Sequence, residues 1–148
     1  MSTHTKILYQ VVFSTKNRDT TLSNPERKEL YAFIWGVLKN NKCYLYRIGG
    51  IENHIHIAFS LNPTVALSSL VKDIKLSSSD YILKNRLLKR FTGWQEGYGA
   101  FTYSDDAKAY LINYIKDQEE HHRHKSFREE LIELLDKNNI EYNEKYLF

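Results

Sequence analysis

Apolar residues recur along this chain at two spacings, every second position or every third to fourth, and the changes of spacing mark its elements. Lys6 to Ser14 (KILYQVVFS) is rich in β-branched and aromatic residues and reads as a strand. A polar loop from Thr15 to Leu22 follows, carrying Lys16 and Arg18. Ser23-Asn24-Pro25-Glu26 reads as a helix start, with proline near the first helical position. Leu30, Phe33, Ile34, Val37 and Leu38 then repeat at helical spacing as far as Asn40-Asn41. Cys43 to Ile48 is a second strand, Gly49-Gly50 a predicted turn, and Glu52 to Ser60 (ENHIHIAFS) the partner strand of a hairpin. Asn62-Pro63 opens a second helix with the stripe Leu67, Leu70, Val71, Ile74 and Ile82, while Lys72, Lys75 and Ser79 lie on another face. Trp94 to Ser104 alternates aromatic and small residues and predicts a last strand. Ser104-Asp105-Asp106 caps a third helix running to about His122, with its acids well placed against the helix dipole. Ser126 and Glu129 form a capping box for a C-terminal helix through Leu131, Leu134 and Leu135. Residues 140–148 show no clear period.

The order β-α-β-β-α-β, then two helices, predicts an α+β, ferredoxin-like (split βαβ) antiparallel sheet with helices on one face plus C-terminal helices. Its other face would be open. At 148 residues, without repeats or low-complexity linkers, the chain reads as one domain, 1–148. A composition of 42% hydrophobic and 26% charged residues excludes a disordered chain. The single cysteine, Cys43, excludes an internal disulfide and any multi-cysteine zinc site. No stretch is apolar enough for a membrane span and MSTHTKILYQ lacks a signal-peptide pattern, so a cytoplasmic location is expected. A net charge of +3 permits a nucleic-acid partner without requiring one.

The strand ENHIHIAFS carries the chemistry. Side chains on a strand alternate between faces, so Ile55, Ile57, Phe59 and Leu61 share a core face and His54, His56, Ala58 and Ser60 share the other. Two imidazoles roughly 6.5–7 Å apart at the backbone can converge on one cation, and neutral histidine is the commonest metal ligand. Solvated histidines on an exposed sheet would give the same pattern. In YLINYIKDQEEHH, Tyr114 and Gln118 stand four residues apart on one helical face, so a glutamine carbonyl could join the histidines with a phenol beside it. Such a phenol, neutral at pH 7, needs an adjacent cation to become a nucleophile; packing alone would also explain it. His121, His122 and His124 close the helix, either as rings at its negative end or as alternative ligands. Lys72, Lys75, Lys84, Arg86, Lys89 and Arg90, interleaved with Tyr81 and Phe91, suit a surface that tracks phosphates and stacks bases.

These stretches together resemble the single-tyrosine transposases of the HUH class (His-hydrophobic-His), which move insertion sequences of the two-hundred/six-hundred-five group and include members acting on repeated extragenic palindromes. The resemblance rests on His54-Ile55-His56, VKDIKLSSSDYI, WQEGYGAF, the run from Tyr114 to His122, and SFREELIELLDKNNIEYNEKYLF. Asp117 departs from the asparagine more usual there. What the resemblance implies is a bacterial or archaeal enzyme that cleaves and rejoins single-stranded DNA through a 5′-phosphotyrosine intermediate. Tyr114 would be the nucleophile, His54, His56 and Gln118 the ligands of Mg2+ or Mn2+, and Lys16, Arg18, Lys72, Lys75 and Arg86 the DNA-binding residues. Its partners would be DNA hairpins at element ends and a second copy of the chain, a homodimer with shared active sites. Two other readings compete. One is a non-catalytic module that stacks single-stranded nucleic acid on the open sheet face. The other is a zinc-dependent hydrolase using His54, His56 and one of His121, His122 or His124, with Glu52 and Asp117 nearby in sequence but no general-base carboxylate tied to it by spacing.

Overall fold

Four strands, β1 (Leu8–Ser14), β2 (Tyr44–Ile51), β3 (His54–Ser60) and β4 (Gly99–Tyr103), form one antiparallel sheet in the order β2-β3-β1-β4 in a computed structural model that describes residues 2–147. The alternation of β3 sends Ile55, Ile57 and Phe59 to one face, where Val11 and Phe13 of β1 join them. Helices α1 (Glu26–Asn40) and α2 (Leu67–Asn85) cover that face through Leu30, Ile34, Leu38, Leu70, Val71 and Ile74. Helix α2 begins at Leu67, later than Asn62-Pro63 suggests, because Asn62 spends its side-chain oxygen on the amide and hydroxyl of Thr64 and holds a turn there.

The opposite face is not open, contrary to the sequence expectation. Helices α3 (Lys108–Lys116), α4 (Gln118–His121) and α5 (Phe127–Lys137) cover it. Leu111 and Ile115 of α3 pack on Leu8 and Ala58, and Phe127, Leu131, Leu134 and Leu135 of α5 pack on Val12 and Phe101. His54 and His56 are therefore fully buried. The capping box expected at Ser126 starts α5, with the Glu129 amide donating to Ser126 Oγ.

Three more expectations are corrected by local geometry. Gly49 and Gly50 lie within β2, and the hairpin turns at Glu52-Asn53 instead. Gly49 faces the backbone carbonyl of Ile115, where any Cβ would collide, so glycine serves close approach of α3 rather than chain reversal. The last strand keeps only Gly99–Tyr103; upstream, Trp94 makes an isolated bridge to Thr15 and the segment to Tyr98 loops out. The third helix does not run unbroken to His122. It stops at Asp117, whose φ of −94° and ψ of 22° separate α3 from α4.

Candidate active site

The buried histidines meet side chains from both ends of the chain. Strand β3 supplies His54 and His56, α3 supplies Tyr114, and α4 supplies Gln118, with His122 just past its end. Helix α5 adds Glu130, which is 2% exposed and which the sequence reading did not single out. His54 Nε2 lies 3.0 Å from Gln118 Oε1 and 3.3 Å from Glu130 Oε1. His56 Nε2 and His122 Nε2 each lie 3.0 Å from the same Glu130 oxygen. The other carboxylate oxygen, Oε2, accepts from the Tyr114 hydroxyl and, at 2.9 Å, from the Gln118 amide. One carboxylate thus joins three imidazoles to the phenol.

A second layer fixes each ring. His122 Nδ1 donates to the Lys125 backbone carbonyl at 2.7 Å. His54 Nδ1 pairs with Asn53 Oδ1 at 2.8 Å and His56 Nδ1 with Gln10 Oε1 at 2.6 Å. Gln10 is itself oriented by donating to the Tyr103 hydroxyl at 2.7 Å. Phe127 stacks on His54 with ring centres 4.3 Å apart, and the Arg18 guanidinium sits 5.7 Å above Phe127.

Electrostatics follow from this burial. Burial lowers the His54 pKa to about 4, so its ring is neutral near pH 7. Burial alone would raise the Glu130 carboxyl, but the facing imidazoles, His56 foremost, outweigh it and hold the group far below the usual carboxylate range. Tyr114 is raised above the ordinary phenol range, first by burial and then by the Glu130 charge and hydrogen bond. Without added positive charge the phenol keeps its proton.

The donor set fits a divalent cation. His54, His122 and Glu130 each turn one ligand atom inward, the three atoms lying within 4.8 Å of one another. A far nitrogen tied to a carbonyl oxygen is the outer arrangement typical of metal-binding histidines.

The structure thus brings together Tyr114, His54, His56 and Gln118, and adds His122 and Glu130. Of the two histidines that flank His122, His121 lies against the Tyr114 ring at 4.8 Å between centres, and His124 is exposed. Glu130 had a signal in sequence: it occupies the stripe of Phe127, Leu131 and Leu134, where a charge is out of place. The basic residues differ in their surroundings, and Gln95 lines both the groove of Lys72 and the hollow of Arg18. Lys75 is half-buried and donates to the carbonyls of Gln95 and Gly97 at 2.8 and 2.6 Å, bracing the loop before β4. Lys72 lines the groove of about 650 Å³ between α2 and that loop, with Trp94 and Tyr98. Arg86 is the left-handed cap of α2, in a separate hollow with Lys89 and Arg90. Lys16 is exposed, and Arg18 donates to the Leu147 carbonyl at 3.3 Å.

Residues 3–118 match the family described as Transposase IS200 like. The chain belongs to that transposase family. Two solved structures share the transposase fold. A transposase candidate from Deinococcus radiodurans R1 aligns over 80% of this chain and 95% of its own, at 20% identity and a TM-score of 0.63. A REP-associated tyrosine transposase bound to a REP hairpin aligns over 82% of this chain and 74% of its own, at 16% identity and a TM-score of 0.60. No curated protein matches the chain. Among the described residues, no helix of this transposase is long and apolar enough to cross a membrane.

Proposed function

We propose that this transposase cleaves and rejoins single-stranded DNA with Tyr114 as nucleophile. The observation that carries the reading is the Tyr114 hydroxyl bonded to the carboxylate on which three imidazoles converge. In cleavage the phenol oxygen forms a bond to phosphorus as the bond from phosphorus to the 3′-oxygen breaks. The strand is left with a 5′-phosphotyrosine and a free 3′-hydroxyl, which takes up a proton. Glu130 Oε2 accepts the hydrogen bond of the phenol and aims its oxygen, and the proton the phenol loses is matched by the one the 3′-oxygen gains. A divalent cation held by His54, His56 and Gln118 would supply positive charge for the phenolate and the phosphoryl oxygens. Rejoining is the reverse step and needs no nucleotide, because the phosphotyrosine conserves the bond energy.

The partner is single-stranded DNA carrying a hairpin, a reading supported by the family and by the hairpin held by the similar REP-associated transposase. Lys72 in its aromatic groove and Arg18 beside Phe127 are the best-placed cations for the strand. Assembly as a homodimer is supported by the free outer edge of β2, where Tyr44 is exposed. The stacking module loses its surface, since α3 to α5 cover the sheet face it needs. The hydrolase reading gains His122 as a third imidazole and is separated from the transposase by the fate of the DNA.

The test is a denaturing gel of the chain with labelled single-stranded hairpin DNA and Mg2+ or Mn2+, followed by mass mapping of the linked peptide. An adduct at Tyr114 is expected, lost in Tyr114→Phe with hairpin binding retained. Cleavage without an adduct would establish water as the attacking group, and an adduct elsewhere would overturn the assignment.

A further inference from the structure

Four donors close a ring inside the site. His54 Nε2 lies 3.0 Å from Gln118 Oε1, which lies 3.1 Å from His122 Nε2; His122 Nε2 lies 3.0 Å from Glu130 Oε1, which lies 3.3 Å from His54 Nε2. These separations have hydrogen-bond length, yet Gln118 Oε1 and Glu130 Oε1 have no hydrogen to give. The Lys125 carbonyl can only accept, so His122 carries a proton on Nδ1, which in the neutral ring leaves the Nε2 lone pair facing inward. His54 is set the same way by Asn53 Oδ1. Gln118 donates from its amide to Glu130 Oε2 and to the Tyr114 carbonyl, which turns Oε1 inward. Reversing that amide would set its oxygen against the carboxylate. Lone pairs facing one another out of water call for positive charge among them, a shared proton or a metal ion.

The spacing agrees. Donors bound at about 2.1 Å lie about 3.0 Å apart at right angles and about 3.4 Å apart in a tetrahedron. The edges of the ring, 3.0 to 3.3 Å, fall in that interval. His56 stands outside the ring and touches it only through Glu130 Oε1, at 3.0 Å. His122 and Glu130 also lie beyond residues 3–118, the span matched to the family. Imidazole nitrogen favours zinc, cobalt and other first-row transition ions, whereas magnesium prefers carboxylates and retained water.

We propose that His122 and Glu130 ligate the cation directly beside His54 and Gln118, and that this nitrogen-rich ring selects a first-row transition ion over magnesium. The proposal rests on the metal site of the proposed function, keeps its His54 and Gln118, sets His122 and Glu130 in the place of His56, and names a class of ion.

The test uses the full chain freed of metal, titrated with Co2+, Zn2+, Mn2+ and Mg2+ by calorimetry, with visible absorption for Co2+. Binding of Co2+ and Zn2+ is expected to be tighter than that of Mg2+ by roughly 100-fold or more. His122→Ala and Glu130→Gln should each weaken Co2+ by roughly tenfold or more and alter its spectrum. Nitrogen NMR of labelled histidines in the unmodified chain gives a reading that does not depend on a variant folding: zinc should shift Nε2 of both His54 and His122. Mg2+ binding as tightly as Co2+, or a His122 resonance unmoved by zinc, would overturn the proposal, and an adduct at Tyr114 formed with Mg2+ would then leave the transposase chemistry standing. Conversely, Co2+ bound through His122 with no adduct under any metal would uphold the ring and refute the phosphotyrosine.

Discussion

Replacing Gly49 by alanine tests whether close approach of α3 to β2 is what sets the tyrosine in place. The added Cβ would meet the carbonyl and the Cγ2 of Ile115, and backbone cannot swing aside as a side-chain tip can. Helix α3 must lift or β2 must bend. Overpacking of this kind costs about 1–3 kcal/mol. For a chain of this size each kcal/mol moves the unfolding midpoint by about 2–4 °C, so the expected fall is roughly 2–12 °C. Tyr114 precedes Ile115, and displacing a reacting group by about 1 Å costs on the order of 100-fold in rate. Adduct formation should therefore suffer far more than stability. Gly36→Ala is the matched control: it lies inside α1 and its added Cβ meets nothing within 4 Å. Alanine there should gain about 0.5–1 kcal/mol and raise the midpoint by roughly 1–4 °C. Thermal unfolding by circular dichroism and the rate of adduct formation read both variants. Gly49→Ala melting with the unmodified protein and forming adduct at the full rate would refute the reasoning.

Two further outcomes follow from buried polar groups. With the His54 pKa at about 4 when folded and about 6.5 when unfolded, the unfolded metal-free chain protonates first as pH falls. Stability should be full above about pH 6.5 and decline by up to on the order of 3 kcal/mol towards pH 4, with Glu130 extending the loss below that; a flat profile of unfolding midpoint against pH would refute a neutral buried ring. Lys75→Met keeps the stem but removes two hydrogen bonds from a half-buried ammonium, and should cost about 1–2 kcal/mol after discounting for solvent. An unchanged melting curve, with the salt dependence of hairpin binding reduced by about one ion, would make Lys75 a phosphate contact instead.

Elements with strong local periodicity were legible in the sequence. The stripes of α1 and α2, the alternation of β3 and the capping box of α5 each record which face meets a core, and the structure has them all. Tyr114 and Gln118 could be paired because four residues of helix bring them together, and they stay close across the break at Asp117. What escaped depends on contacts remote in sequence. Gly49-Gly50 has the composition of a turn, and only the approach of Ile115, far along the chain, explains glycine within a strand. The histidine face looked open because β3 alone cannot say what packs upon it; Leu111, Phe127 and Leu131 cover it from other elements. Glu130 sat in plain view on an apolar stripe, but its partners are 8 to 76 positions away.

That distance along the chain sets an order in time. A protein made from its N-terminus at about 5–20 residues per second can fold its early parts before its late parts exist. By the time Lys116 has been added, all four strands and α1 to α3 have been synthesised, with His54, His56 and Tyr114 among them. Gln118, His122 and Glu130 have not. The carboxylate that joins histidines to tyrosine arrives with α5, more than seventy residues after His54 and His56. A nascent chain halted at the end of α3 carries Tyr114 without the carboxylate that its hydroxyl bonds to, so the cluster is complete only once α5 has been made.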